Sequence, residues 1–193
     1  MSRTALLARK EILQRSLDPF WRNGFDGTSL RHLEEATGLN PGSIYYHFRN
    51  KEDLFEQVLS YYIENHLLSR LKNYRRRYSP LESLRRFFTT SYRQNYVEEY
   101  CCNCLLVMAM TDARRATLAP ILKSAINQME AEFTELLYQA GKSQDYGSVL
   151  IDHYIALQLS GSIKGSWKQR DRYVKEIFSA LPEKKTQASV FTE

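Results

Sequence analysis

A chain of 193 residues with 43% apolar and 25% charged residues has the length and make-up of one large or two small globular domains. No apolar run approaches the roughly 20 residues that span a bilayer, and the start MSRTALLARKEILQRSL mixes charge with leucine unlike a secretion signal, so a cytoplasmic protein with no membrane partner is expected. A formal charge of +5 and a pI near 9.1 permit a polyanionic partner without demanding one, and three cysteines, an odd number clustered in CCNC, argue against a secreted disulfide framework.

In chain order, Leu6, Leu13, Leu17 and Phe20 form a helical stripe that Ile12 and Trp21 widen. RNGFDG stops this first helix, with Gly24 free to take the left-handed closing conformation. Thr28 is the expected cap of a short second helix whose buried face is Leu30, Leu33 and Ala36. TGLN makes a tight turn, and Asn40 caps a third helix with Pro41 at its first position, where the missing N–H costs nothing. Asn50 begins a fourth helix with Asp53 in capping-box position and Leu54, Phe55, Val58, Leu59, Tyr62 and Ile63 on its apolar face. It runs on to YRRRY, whose arginines suit a helix C-terminus.

SPLE restarts the chain, with Ser79 as cap, Pro80 first and Glu82 completing the box. Phe87, Phe88, Tyr92 and Tyr96 mark the next helix, CLLVMAMTDA a short one, and Leu122, Ile126, Met129, Phe133 and Leu136 another that ends near Gly141. A long helix is expected from about Tyr146 to Lys168, and a last one on Tyr173, Val174, Ile177, Phe178 and Leu181, stopped by Pro182. There is no repeat and no convincing strand, so the fold class is all-α. Residues 1–50 read as a helix-turn-helix domain, 51–182 as a larger helical domain and 183–193 as a polar tail.

Two short helices joined by a glycine-bearing turn and preceded by a longer one make a helix-turn-helix unit. Ile44 and Phe48, at i and i+4, pack inward and leave Gly42, Ser43 and Tyr46 outward, with Tyr45 and His47 on the flanks. Small residues at the start of a recognition helix allow close approach to base edges, and Ser43 can donate or accept there. Tyrosine and histidine tips suit phosphate oxygens; Lys51 adds a cation beside the free N–H groups of the fourth helix. Spacing alone also permits a helix-turn-helix used as plain scaffold.

The stretch FWRNGFDGTSLRHLEEATGLNPGSIYYHFRNKEDLFEQVL resembles the TetR-type bacterial transcriptional regulators, with G-F-x-G-T-S, A-T-G-L, G-S-I-Y-Y-H-F and N-K-E-D-L in order over roughly residues 3 to 60. The resemblance implies a three-helix DNA reader on a helical effector-binding and dimerisation domain. It implies DNA contacts from Arg31 and from Asn40, Pro41, Gly42 and Ser43. Tyr45 and His47 match backbone-touching positions, Lys51 a phosphate-binding lysine, and Thr28 and Tyr46 further contacts. It also implies a homodimer on a palindromic operator, released by a small molecule, with repression following from family habit.

The last two long helices carry apolar stripes and place Gly161 and Gly165 four apart, which suits a dimer seam and equally suits packing within one subunit. Phe88, Tyr92, Tyr96, Met108, Met110, Met129, Phe133 and Trp167 are candidates to line an effector cavity, although aromatics at helical spacing are more often plain core. Cys101 and Cys104 have C-x-x-C spacing with Cys102 between them; the alternative they raise is a redox- or metal-responsive repressor, against a bland reading as packed cysteine. No nucleophile elbow, phosphate loop or H-E-x-x-H pair is present, so no catalysis, no cofactor and no metal are expected.

Overall fold

The computed structural model describes residues 9–97, 104–160 and 167–184, apart from the side chains of 93–97 and Trp167. Among them every named element is helical: α1 (Arg9–Gly27), α2 (Leu30–Thr37), α3 (Pro41–His47), α4 (Lys51–Tyr62), a π-helical segment (Ile63–Leu68), α5 (Ser69–Arg75), α6 (Pro80–Val97), α7 (Leu105–Thr111), α8 (Arg115–Gln139), α9 (Tyr146–Leu159) and α10 (Trp167–Ser179). The all-α expectation holds. One isolated bridge, Lys142 to Glu183, joins the turn after α8 to the residues after α10.

The fourth helix predicted from Asn50 to YRRRY is continuous in direction but changes pitch. Buried positions step by four through Leu54, Val58 and Tyr62 and through Phe55, Leu59 and Ile63. They then jump by five, from Tyr62 to Leu67 and from Ile63 to Leu68. A π turn absorbs the extra residue and keeps the apolar stripe facing the core.

Near the C-terminus the structure corrects the sequence reading. The helix expected to run from Tyr146 to Lys168 ends at Leu159, and α10 begins at Trp167 rather than near Tyr173. The helical stripe hid the break, because α9 is buried at Leu150, Ile151, Tyr154, Leu157 and Gln158 and keeps that pattern to its end. Gly161 and Gly165, the proposed seam, lie outside the described residues, as do 185–193 of the tail.

The core runs from the helix-turn-helix into the larger half. Phe20 packs on Phe25 and Phe55, and Trp21 sits edge-on to Tyr62 at 5.0 Å, so α1 is seated on α4 by aromatic contact. In the second half Phe87, Phe88, Phe133, Tyr154 and Phe178 form a cluster with centroids 5.3–5.7 Å apart. Each fully buried side chain of this size contributes about 1.5–3 kcal/mol.

Candidate nucleic-acid interface

The helix-turn-helix geometry is built by caps. Gly24 takes φ 66° and kinks α1, bringing Phe25 inward. The cap of α2 is Ser29, one residue later than the sequence reading placed it. Its Oγ accepts from the backbone N–H of His32 at 3.2 Å, and His32 Nδ1 accepts from the Ser29 N–H at 3.2 Å. Thr28 is fully buried, and its Oγ1 faces the carbonyls of Gly24 (2.6 Å) and Pro19 (3.0 Å). Its side chain therefore holds the turn closed, and the expected DNA contact from Thr28 falls on a residue whose hydroxyl is already engaged.

Gly38 at φ 71° ends α2 with its N–H bonded to the Glu34 carbonyl. Asn40 then caps α3 as predicted, its Oδ1 accepting from the Ser43 N–H at 2.8 Å, with Pro41 at the first position. A helix of seven residues has no stability of its own. It is held by Ile44 and Phe48, at 0% and 1% exposure. The opposite face is open: Tyr46 is 82% exposed, Gly42 is exposed, and Ser43, Tyr45 and His47 are half-buried. A Cβ added to Gly42 would meet only Asn40 Oδ1, at an ordinary 3.4 Å, so the fold itself does not demand glycine there. Burial, then the neighbouring Glu52, raises the Tyr45 phenol above its usual range, keeping it a neutral donor.

Arg31 stands out from α2 with its side chain 85% exposed, its guanidinium hydrogen-bonded across the helix surface to Glu35 at 2.8 Å. Such an exposed pair is worth little. Lys51 differs from its expected pose. Its ammonium lies over the Phe25 ring, 4.2 Å from the centroid, and burial lowers its pKa from the ordinary lysine range. Arg114 stacks on the same ring at 3.4 Å and reaches Asp26 at 3.0 Å and Asp112 at 2.6 Å. The helix-turn-helix is thereby strapped to the end of α7.

Two residues that sequence reasoning did not single out complete the interface. Arg9 donates to Gln57 Oε1 (2.6 Å) and to the His47 carbonyl (2.8 Å), and its guanidinium covers the Phe48 ring at 4.7 Å. Gln57 in turn donates to Asp53 Oδ1 at 2.9 Å. Asp53 Oδ2 accepts from the Arg49 N–H at 2.9 Å, and Asn50 Oδ1 accepts from the Asp53 N–H at 2.8 Å. This chain of contacts fixes the turn between α3 and α4 against the start of α1. The Asn50–Asp53 capping box was legible in the sequence, but the reach of Arg9 to Gln57, 48 positions away, was not.

The candidate effector residues are placed differently from one another. Phe88, Tyr92, Met129 and Phe133 are fully buried, and Phe88 and Phe133 lie within the packed aromatic cluster. The Tyr92 hydroxyl donates to Asp171 of α10. Met108 is half-buried on α7, and the Trp167 and Tyr96 side chains lie outside the described residues. Phe88 and Phe133 serve as core first, because ring–ring packing consumes their faces.

Cys104 is 2% exposed and immediately precedes α7, beside Tyr154 and Tyr62. Burial pushes its thiol pKa up, the opposite of what a reactive thiolate requires. Cys101 and Cys102 lie outside the described residues. Among the described residues no group of three or more His, Cys, Asp and Glu is placed to hold a metal, and no helix is long and apolar enough to cross a membrane.

Comparison with known proteins agrees with this geometry. Residues 12–58 match the family of bacterial regulatory proteins, tetR family. The chain is 40% identical over 62 residues to the HTH-type transcriptional repressor ComR of Escherichia coli K12, covering 32% of this chain and 30% of ComR. It is 28% identical over 132 residues to the HTH-type transcriptional regulator RutR of Escherichia coli O157:H7, covering 67% of this chain and 62% of RutR. The chain thus matches less than two thirds of the length of these relatives. In fold it is similar to a cysteine mutant of the TetR family transcriptional regulator CifR complexed with 26-bp operator DNA, with a TM-score of 0.77, 21% identity, and coverage of 93% of this chain and 100% of that one. The family match falls on the same stretch, residues 12–58, that carries the sequence resemblance.

Proposed function

We propose that this protein is a transcriptional repressor that binds a near-palindromic DNA operator as a homodimer and lets go when a small molecule binds its larger helical half. The observation that carries the reading is the armed outer face of α3. Gly42 is exposed where the fold has room for a side chain, and Ser43 and Tyr46 stand beside it over a rigid, doubly capped turn. A glycine the fold does not need, at the leading turn of an exterior helix, makes sense if another molecule must come close. Asn40, Pro41, Gly42 and Ser43 approach the base edges; Arg31, Tyr45, Tyr46 and His47 hold phosphates on either side.

Lys51 lies beside the N-terminus of α4, where backbone N–H groups favour phosphate, and swings from Phe25 to reach it. Symmetry supplies the rest. Two such heads about 34–36 Å apart meet successive major grooves, and a dimer through α9 and α10 sets that distance. Relatives named as transcriptional repressors and regulators support regulation rather than catalysis. A thiol-triggered variant of this reading finds no support at Cys104, which is buried with a raised pKa.

Selection of bound duplexes from random DNA tests the proposal. Recovery of an inverted repeat with half-sites one helical turn apart, or a multiple of it, is the expected outcome. A protein that retains no duplex above background at low salt would refute it.

A further inference from the structure

The geometry points to a binding groove for a small aromatic carboxylate at the joint between the reading head and the body, away from the buried aromatic cluster. This inference rests on the regulator reading and names its effector class. The groove has a volume of about 340 Å³ and is lined by Trp21 of α1 together with Tyr62, His66, Arg70, Tyr74 and Arg77 along one face of α4, the π segment and α5. Asn65, Ser69 and Asn73 supply further polar lining.

Three features fit that ligand. The charge is one-sided: two arginines and a histidine line the groove, and no aspartate or glutamate is among its lining residues. Guanidinium groups pair with carboxylates in a planar, bidentate manner. Two half-buried rings, His66 and Tyr74, give the groove flat aromatic lining, with His66 resting on the buried Tyr62 ring beneath it (13° between planes, 5.8 Å). A bare inorganic anion would leave that ring surface unused.

The floor is rigid. Arg70 Nη2 donates to the buried Ser91 hydroxyl of α6 at 3.0 Å, its guanidinium lies 5.2 Å from the Phe87 centroid, and Tyr74 donates to Thr90 at 3.2 Å. The π segment, a rare irregularity that recurs at functional sites, supplies Asn65 and His66 to the lining. Position also matters. Trp21 moves with the head while the remaining walls belong to the long helix beneath it, so an occupant that wedges between them biases the angle of α1 on α4. Tyr62 begins the groove 11 residues along from Lys51, about 17 Å at 1.5 Å per residue, which keeps it clear of a bound duplex.

Calorimetric titration of the full chain, without DNA, with benzoate, salicylate, benzamide and inorganic phosphate tests the site. Saturable binding of benzoate or salicylate is expected, at least tenfold tighter than benzamide or phosphate. Arg77→Gln, an exposed substitution that leaves the floor intact, should weaken it at least fivefold. Failure of both carboxylates to bind, affinity equal to that of benzamide, or indifference to Arg77→Gln would overturn the proposal. Operator binding measured without any carboxylate reports separately on the regulator reading, so loss of the site and loss of that reading are told apart.

Discussion

Asp53 shows how much one carboxylate can organise. The sequence places it as a capping residue, and the structure makes it a hub that holds the Arg49 N–H and the Gln57 amide, and through Gln57 the Arg9 guanidinium. The backbone N–H of Arg49, foremost, depresses its pKa below the ordinary aspartate value of ~3.9. A depressed folded-state pKa gives stability that is fully present above the unfolded value and is lost as pH falls through the folded one. Asp53→Ala should cost about 1 kcal/mol near neutral pH. In denaturant melts from pH 7 down through the acid range, the gap between wild type and variant should narrow below pH ~3.9. A gap constant down to the lowest pH would show that the charge is irrelevant. The same scale explains the misplaced α2 cap. Thr28 and Ser29 are both competent caps, and burial decided between them: the threonine methyl goes into the core while the serine faces water.

At the scale of elements, periodicity revealed where helices are but not where they change character. Asn40-Pro41 and the Ile44/Phe48 pair specified α3 because capping and i, i+4 burial are local. The π segment left a five-residue jump in the apolar pattern, legible only once Leu67 and Leu68 are counted with the stripe. The end of α9 left no signal of that kind, and the role of Phe88 and Phe133 as core depends on partners from α6, α8, α9 and α10 that no single window contains. One close approach is likewise invisible in sequence. A Cβ on Gly147 would lie 2.1 Å from Thr134 Oγ1 and 3.3 Å from its Cβ, so α9 touches α8 through the absent side chain. Gly147→Ala should destabilise by ~1–3 kcal/mol, the cost of overpacking. Adding Thr134→Ala should recover part of it in a double-mutant cycle, measured by chemical denaturation. Strict additivity would place the contact elsewhere.

For the whole molecule, the question is how the larger helical half is joined to the helix-turn-helix head. Phe25, pinched between the cations of Lys51 and Arg114, is where the two halves meet outside the α1–α4 seam. Because Asp26 is 82% exposed, the Arg114–Asp26 pair itself contributes little, and cation–π contact adds ~0.5–1 kcal/mol. Two substitutions should separate holding the head from holding DNA. Arg114→Gln should lower operator affinity a few-fold while leaving the slope of log affinity against log salt unchanged. Lys51→Gln should lower affinity and reduce that slope by about one phosphate's worth. Equal slopes for wild type and Lys51→Gln would remove the lysine from the phosphate contacts.

The wide turn at residues 63–68 has an evolutionary and practical corollary. It houses one residue more than regular pitch allows, so excising a single position there would let the rod re-form with ordinary winding. Residues downstream would keep their phase, because Leu67 and Leu68 would then step by four from Tyr62 and Ile63. Regular winding with every residue kept is the disruptive change: everything downstream would rotate by about 100° and shift by about 1.5 Å, carrying Arg70, Tyr74 and Arg77 out of line with Trp21 and Leu71 out of the core. The wide turn is thus what keeps the two halves of the chain geared to each other.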